Sequence, residues 1–165
     1  MNAIDCIMTR RSVRGYTDRP LDEDTIKTLL QAAISAPSGR NGQPWKFKVV
    51  TDKELINKIS DLSRHGAWMR TAACLVAVYL DKSRSYDRIK DAQSCGAAIQ
   101  NMMLAAHSLG IGSCWIGEIL PKDDEIKAVL NIENSDLELM AVVTFGYSAG
   151  QPSSYIRNSL ESFLL

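Results

Sequence analysis

Apolar and polar residues alternate along this chain with two different periods. Ile4, Ile7 and Met8 stand at helical spacing and predict a short helix over residues 2–9. Ile26, Leu29, Leu30, Ala33 and Ile34 form an i, i+3, i+4, i+7, i+8 stripe. Asp22 is a good N-cap for that helix, Glu23 and Asp24 suit its positive end, and Pro37 stops it. The period then changes to two: Trp45, Phe47 and Val49 alternate with Lys46 and Lys48, as in a half-buried strand. Residues 53–63 read as a surface helix. The continuous apolar run from Ala73 to Leu80 has the length of a central strand covered on both faces.

The segment 91–109 is apolar nearly all round: between Cys95 and Ala106 only Gln100 and Asn101 are plainly polar. Such a helix must be covered on nearly all sides. It would span roughly 28 Å at 1.5 Å per residue, whereas a domain of this size has a radius of gyration of about 15 Å. A partner subunit is the economical way to cover it, a central core helix the alternative. Gly110-Ile111-Gly112 then turns the chain into the stretch Ser113 to Ile119. A helix follows over about 122–130, and Leu137 to Tyr147 gives the last clear strand. Helices outnumber strands and do not alternate strictly with them. This predicts an α+β domain with a mixed central sheet.

The chain has 165 residues, with 19 basic and 19 acidic side chains and no net charge. That length fits a single domain over 1–165. Neutrality argues against a protein built to coat nucleic acid, and there is no RNP-type aromatic motif. No run of about 18 apolar residues is present to span a membrane, and the N-terminus has no signal-peptide pattern. The expected location is the cytoplasm. The four cysteines, Cys6, Cys74, Cys95 and Cys114, contain no CxxC pair, and His65 and His107 lie far apart. No metal site is expected, and the cysteines read as reduced.

Three segments carry candidate chemistry. Arg10-Arg11-Ser12-Val13-Arg14 gathers three guanidinium groups and a hydroxyl after the first helix. Guanidinium forks match phosphate oxygens in shape and charge; a solvated turn, or ion pairs to Asp18, Asp22 or Glu23, is the alternative. Ala36-Pro37-Ser38-Gly39-Arg40-Asn41-Gly42-Gln43-Pro44-Trp45 is a polar, glycine-bearing loop between a helix and a strand, or merely a helix end followed by turns. Gly110-Ile111-Gly112-Ser113-Cys114-Trp115-Ile116-Gly117 mimics a dinucleotide fingerprint. It fails because Trp115 stands at the third glycine and a helix precedes it.

The order of these segments, from Ile4 to Arg157, resembles the nitroreductase family of flavin enzymes, in a short form. The most specific parts are RRSVR at 10–14 and PSGRNGQPWKF at 37–47. The resemblance implies a three-layer fold with helices flanking the sheet, in an interlocked homodimer. Residues 148–165 would be a C-terminal extension packing on the partner subunit. It implies FMN as cofactor, NADH or NADPH as reductant, and a small electron acceptor such as a nitroaromatic or quinone, used in a ping-pong sequence. Arg10, Ser12 and Arg14, with Arg11 nearby, would hold the phosphate and ribityl end. Pro37, Ser38 and Asn41 would reach the flavin of the other subunit, with Gln43 supporting that loop. Cys114, Trp115, Ile116 and Gly117 would flank the ring, and Arg157 would bind phosphate. Tyr155 stands where relatives often have a lysine. Hydride chemistry would belong to the flavin, so no catalytic side chain is expected. A non-catalytic flavin-binding dimer, or a specialised member acting on another bond or on flavin itself, remains open.

Overall fold

The structure is a computed structural model that describes residues 1–152 and 155–165. Ser153 and Ser154, within the expected C-terminal extension, lie outside the described residues. The helices are α1 (Ala3–Thr9), α2 (Glu23–Ile34), α3 (Lys53–Asp61), α4 (Gly66–Met69), α5 (Arg88–Ser108) and α6 (Asp123–Val129). The strands are β1 (Trp45–Val50), β2 (Cys74–Asp81), β3 (Gly112–Ile116) and β4 (Leu137–Gly146).

Local chemistry sets several boundaries. The Thr25 amide donates to Asp22 Oδ1 at 2.7 Å, so α2 begins where its cap is. Asp87 caps α5 in the same way, its Oδ1 accepting from Lys90 N at 3.0 Å, and this starts the helix ahead of the expected 91. The expected helix over 53–63 ends at Asp61. A turn and the four-residue α4 follow, a helix too short to show a period in sequence.

The four strands pair in the order β1-β2-β4-β3. β2 is buried along its whole length, and its alternate residues divide between two cores. Cys74, Val76, Val78 and Leu80 pack against α2 and α5, around Leu29, Ala33, Ile99 and Met102. Leu75, Ala77 and Tyr79 pack toward α3, α4 and α6, around Ile56, Ile59, Met69 and Ile126. Helices, sheet and helices therefore form three layers. The mixed sheet is a correction. All strand pairings are antiparallel, and the one parallel pairing among the described residues is the isolated bridge of Ser12 with Ser113. The α5 crossover does leave β2 and β3 running the same way, but β4 lies between them and pairs antiparallel with both.

The outer edge of β3 receives the segment after α1. The Val13 amide donates to Ser113 O at 2.9 Å, and the Tyr16 hydroxyl reaches Val13 O at 2.8 Å and Thr144 Oγ1 at 2.6 Å. Two glycines facing each other across β3 and β4 make room for it. A Cβ on Gly112 would lie 2.8 Å from Val13, and one on Gly146 would lie 2.9 Å from the Tyr16 ring. The sheet edge thus fixes the backbone that carries Arg10, Ser12 and Arg14.

Candidate functional site

Three adjoining cavities form a trough along residues 9–15 and β3. Thr9, Arg10, Arg11, His107, Ser113 and Gln151 border the first, of about 260 Å³. Ser12, Arg14, Gly15 and the turn Ser148–Pro152 border the second, of about 200 Å³. Val13, Gln151 and Pro152 belong to both. Arg14 also borders the third, of about 70 Å³, together with His65, Trp68, Cys114, Trp115, Ile116, Gly117 and Glu118. Two of the three sequence candidates, 10–14 and 114–117, are therefore brought together.

The arginine end is electrostatically incomplete. Arg10 Nη1 is buried with no hydrogen-bond partner among the described residues. Burial, then the charges of Arg157 and Arg11, hold its guanidinium below the usual arginine range. None of Arg10, Arg11, Arg14 and Arg157 has a carboxylate in ion-pair range among the described residues. Asp22 is spent on capping α2 and Glu23 faces Lys27, so the ion-pair alternative for the arginines is not what forms. Arg11 is partly committed locally: its Nη1 donates to Met8 O and Arg10 O, both at 2.9 Å, and closes the end of α1. Arg10 is half-buried, and a buried donor without a partner is unfavourable, so this end of the trough fits an anion.

The third cavity mixes polar and aromatic side chains. Ile116 is buried, whereas Trp115 is 41% exposed. A Cβ on Gly96 would meet the Trp115 ring at 3.5 Å, so the indole lies over α5 where the helix has no side chain. Cys114 is buried, and burial pushes its thiol up while Arg14, Ser12 and Arg10 pull it down. Glu118 accepts from the Ser63 hydroxyl and from the Arg64 amide at 3.0 Å, which hold its carboxyl below the usual range.

The 37–43 loop borders a different depression, of about 350 Å³, lined by Pro37, Ser38, Gly39, Tyr86, Lys90, Gln93, Ser94 and Ala97. None of those residues lines the trough. The loop is internally braced: the Gln43 amide donates to Ser38 Oγ at 3.0 Å, and Gln43 Nε2 donates to Asn41 O at 3.3 Å. Arg40, Asn41 and Gln43 all sit at positive φ, a costly run for non-glycine residues. The Arg40 guanidinium lies 4.6 Å from the Tyr86 ring centre.

Sequence reasoning missed Thr9, His107, Gln151 and the Ser148–Gly150 turn as trough residues. The Ala149 amide donates to Gly15 O at 3.1 Å and holds that turn against the arginine segment. No local pattern marks these residues: the packing of α1 against α5 brings Thr9 to His107, and the contact of residues 13–16 with the sheet edge brings in the turn after β4.

The sequence model of the nitroreductase family matches residues 7–67 and 63–147. A protein of Archaeoglobus fulgidus, provisionally named NADH dehydrogenase/NAD(P)H nitroreductase, is 37% identical over 152 residues, covering 90% of this chain and 87% of that protein. An FMN reductase [NAD(P)H] of Bacillus subtilis is 28% identical over 158 residues, 85% of this chain and 64% of that protein. In three dimensions the chain is similar to a crystal structure from Desulfovibrio desulfuricans, provisionally described as a nitroreductase and in complex with FMN. The TM-score is 0.94 at 36% identity, over 100% of this chain and 96% of that one. Among the described residues, no helix is long and apolar enough to cross a membrane.

Proposed function

Because the chain belongs to the nitroreductase family, we propose that it is an FMN-dependent oxidoreductase, reduced by NADH or NADPH and reoxidised by a nitroaromatic, a quinone or a related small acceptor. The observation that carries this reading is Arg10 Nη1, buried and without a partner among the described residues, under the influence of two further arginines. A phosphate dianion satisfies that donor and offsets the repulsion within the cluster. When bound, FMN supplies a two-electron carrier that accepts hydride from one molecule and passes it to another.

The chain's own residues bind and orient. Arg10 and Arg157 hold the phosphate, with Arg11 beside them; Ser12 and Arg14 hold the ribityl end, on a backbone fixed to β3. Cys114, Trp115, Ile116 and Gly117 flank the ring. Charge-assisted hydrogen bonds contribute about 1.5–3 kcal/mol each, so three of them with ring burial reach micromolar binding, about −8 kcal/mol. Arg14 adds positive charge beside Cys114–Gly117 and would favour negative charge on a group held there. Reductant and acceptor would use the same cavity in turn, which would make the kinetics ping-pong.

A second copy of the chain completes the site in this reading. The outer face of α1 exposes Ile4, Ile7 and Met8, α5 exposes Ile89, and the tail exposes Ile156, Leu160, Phe163, Leu164 and Leu165. So much exposed apolar surface on one chain marks an interface. In this reading Ser148–Pro152 stay on their own chain's trough, residues 155–165 pack on the partner, and the partner's Pro37–Gln43 loop covers the flavin.

The test is the visible spectrum. FMN-loaded protein should absorb at about 450 nm, as oxidised flavin does, bleach under anaerobic NADH or NADPH, and recover its colour with a nitroaromatic. A flavin-bound protein whose spectrum neither nucleotide changes would reduce the chain to a flavin carrier.

A further inference from the structure

We infer that His107 is a binding residue of the phosphate cavity, taking up a proton on Nδ1 as the flavin phosphate enters; this rests on the FMN reading above. His107 lies in the last turn of α5 and borders the cavity that also contains Arg10 and Arg11. Its tautomer follows from its neighbour. Thr9 Oγ1 stands 2.6 Å from Asp5 O, a carbonyl that can only accept, so the hydroxyl proton is committed there. The same oxygen is 2.9 Å from His107 Nε2 and, with its proton on Asp5 O, accepts from it. Nε2 carries the proton of the neutral ring, and Nδ1 is the atom left to titrate.

The groups around the ring are one-signed. The segment after α1 contributes Arg10 and Arg11, and β3 and the tail contribute Ser113 and Gln151, both neutral. On α1, the Cys6 thiol donates to Leu104 O at 3.2 Å, and the Asp5 carboxylate is turned to the Asn2 amide at 2.6 Å. Among the described residues no carboxylate borders the cavity. Burial and the two arginines accordingly hold the imidazole below its ordinary 6.5. An entering dianion is the first negative charge the ring meets. It cancels the arginine field and offers Nδ1 an acceptor, so the bound pKa lies above the free one. Between the two values FMN binding takes up a proton, and this part of the affinity is lost as pH rises through the bound value. The C-terminal end of α5 favours the same protonated form.

The phosphate has its own ionisation at about pH 6, so the histidine must be read directly. The chain has two histidines, and His107→Gln assigns the ring signals. Proton NMR of the full chain should place the His107 midpoint below 6.5 without ligand. FMN should raise it by about one unit or more, whereas riboflavin, which lacks the phosphate, should leave it in place. His107→Gln should weaken FMN binding about tenfold at mildly acidic pH, with riboflavin unaffected and the difference vanishing at alkaline pH. FMN that binds, by quenching of its fluorescence, without moving the His107 midpoint overturns this inference alone. FMN that does not bind overturns the cofactor reading with it.

Discussion

Replacing Arg10 by methionine should push two observables in opposite directions. In the ligand-free chain the guanidinium is a liability: Nη1 is buried without a partner among the described residues and faces the charges of Arg157 and Arg11. A buried unsatisfied donor costs about 1–3 kcal/mol. Methionine keeps most of the apolar stem, so the packing loss is small. The free variant should be more stable by about 1 kcal/mol, a rise in Tm of about 2–4 °C for a chain of this size. In the complex the same change removes at least one charge-assisted bond of about 1.5–3 kcal/mol, or roughly 10- to 150-fold in Kd. At saturating FMN a hundredfold weaker Kd removes about 2.7 kcal/mol of ligand stabilisation. Thermal unfolding with and without FMN reads both effects in one experiment. A variant that melts lower than the parent when free, yet gains as much from FMN, would refute the idea that Arg10 waits for an anion.

Three further outcomes are expected. Gly112→Ala places a Cβ 2.8 Å from Val13 and should cost about 1–3 kcal/mol in a urea melt. It should also weaken FMN binding, because Ser12 and Arg14 ride on that backbone; parental affinity would show that the β3 contact does not position them. Glu118 has a carboxyl held below its ordinary 4.5 by Ser63, the Arg64 amide and the Arg64 charge. Its contribution to stability is present above that value and is lost as pH falls through the lower, folded value. The acid limb of a stability-against-pH curve should thus be flatter in Glu118→Gln, and an unchanged limb would contradict the assignment. Deleting residues 155–165 removes Arg157 and the exposed apolar tail. Light scattering should report a dimer for the full chain and a monomer for the shortened one, which should also lose FMN; a shortened chain still dimeric and flavin-bound would count against the swapped tail.

What was legible in the sequence was local. Asp22 as a cap, the stripe from Ile26 to Ile34, and the unbroken apolar run of β2 each encode an element through contacts within a few residues. The arginine segment and the 114–117 stretch were also readable, because their composition departs from their surroundings. What stayed hidden depends on chain topology. The antiparallel sheet follows from β4 inserting between β2 and β3, which no spacing reveals. Gly112 reads as part of a failed nucleotide motif, yet its use is to admit Val13 from a segment a hundred positions earlier. His107 looks like an ordinary polar residue near a helix end, where a cation suits the dipole. Only the packing of α1 against α5 brings it to the arginines.

The most direct measurement is the affinity of the colourless chain for FMN beside its affinity for riboflavin, by fluorescence quenching under one buffer. The two ligands share the ring and ribityl chain and differ only in the phosphate. If the amino-terminal arginines and Arg157 grip that group, FMN should bind at least about a hundredfold more tightly. Equal affinities would mean that the cluster holds something else.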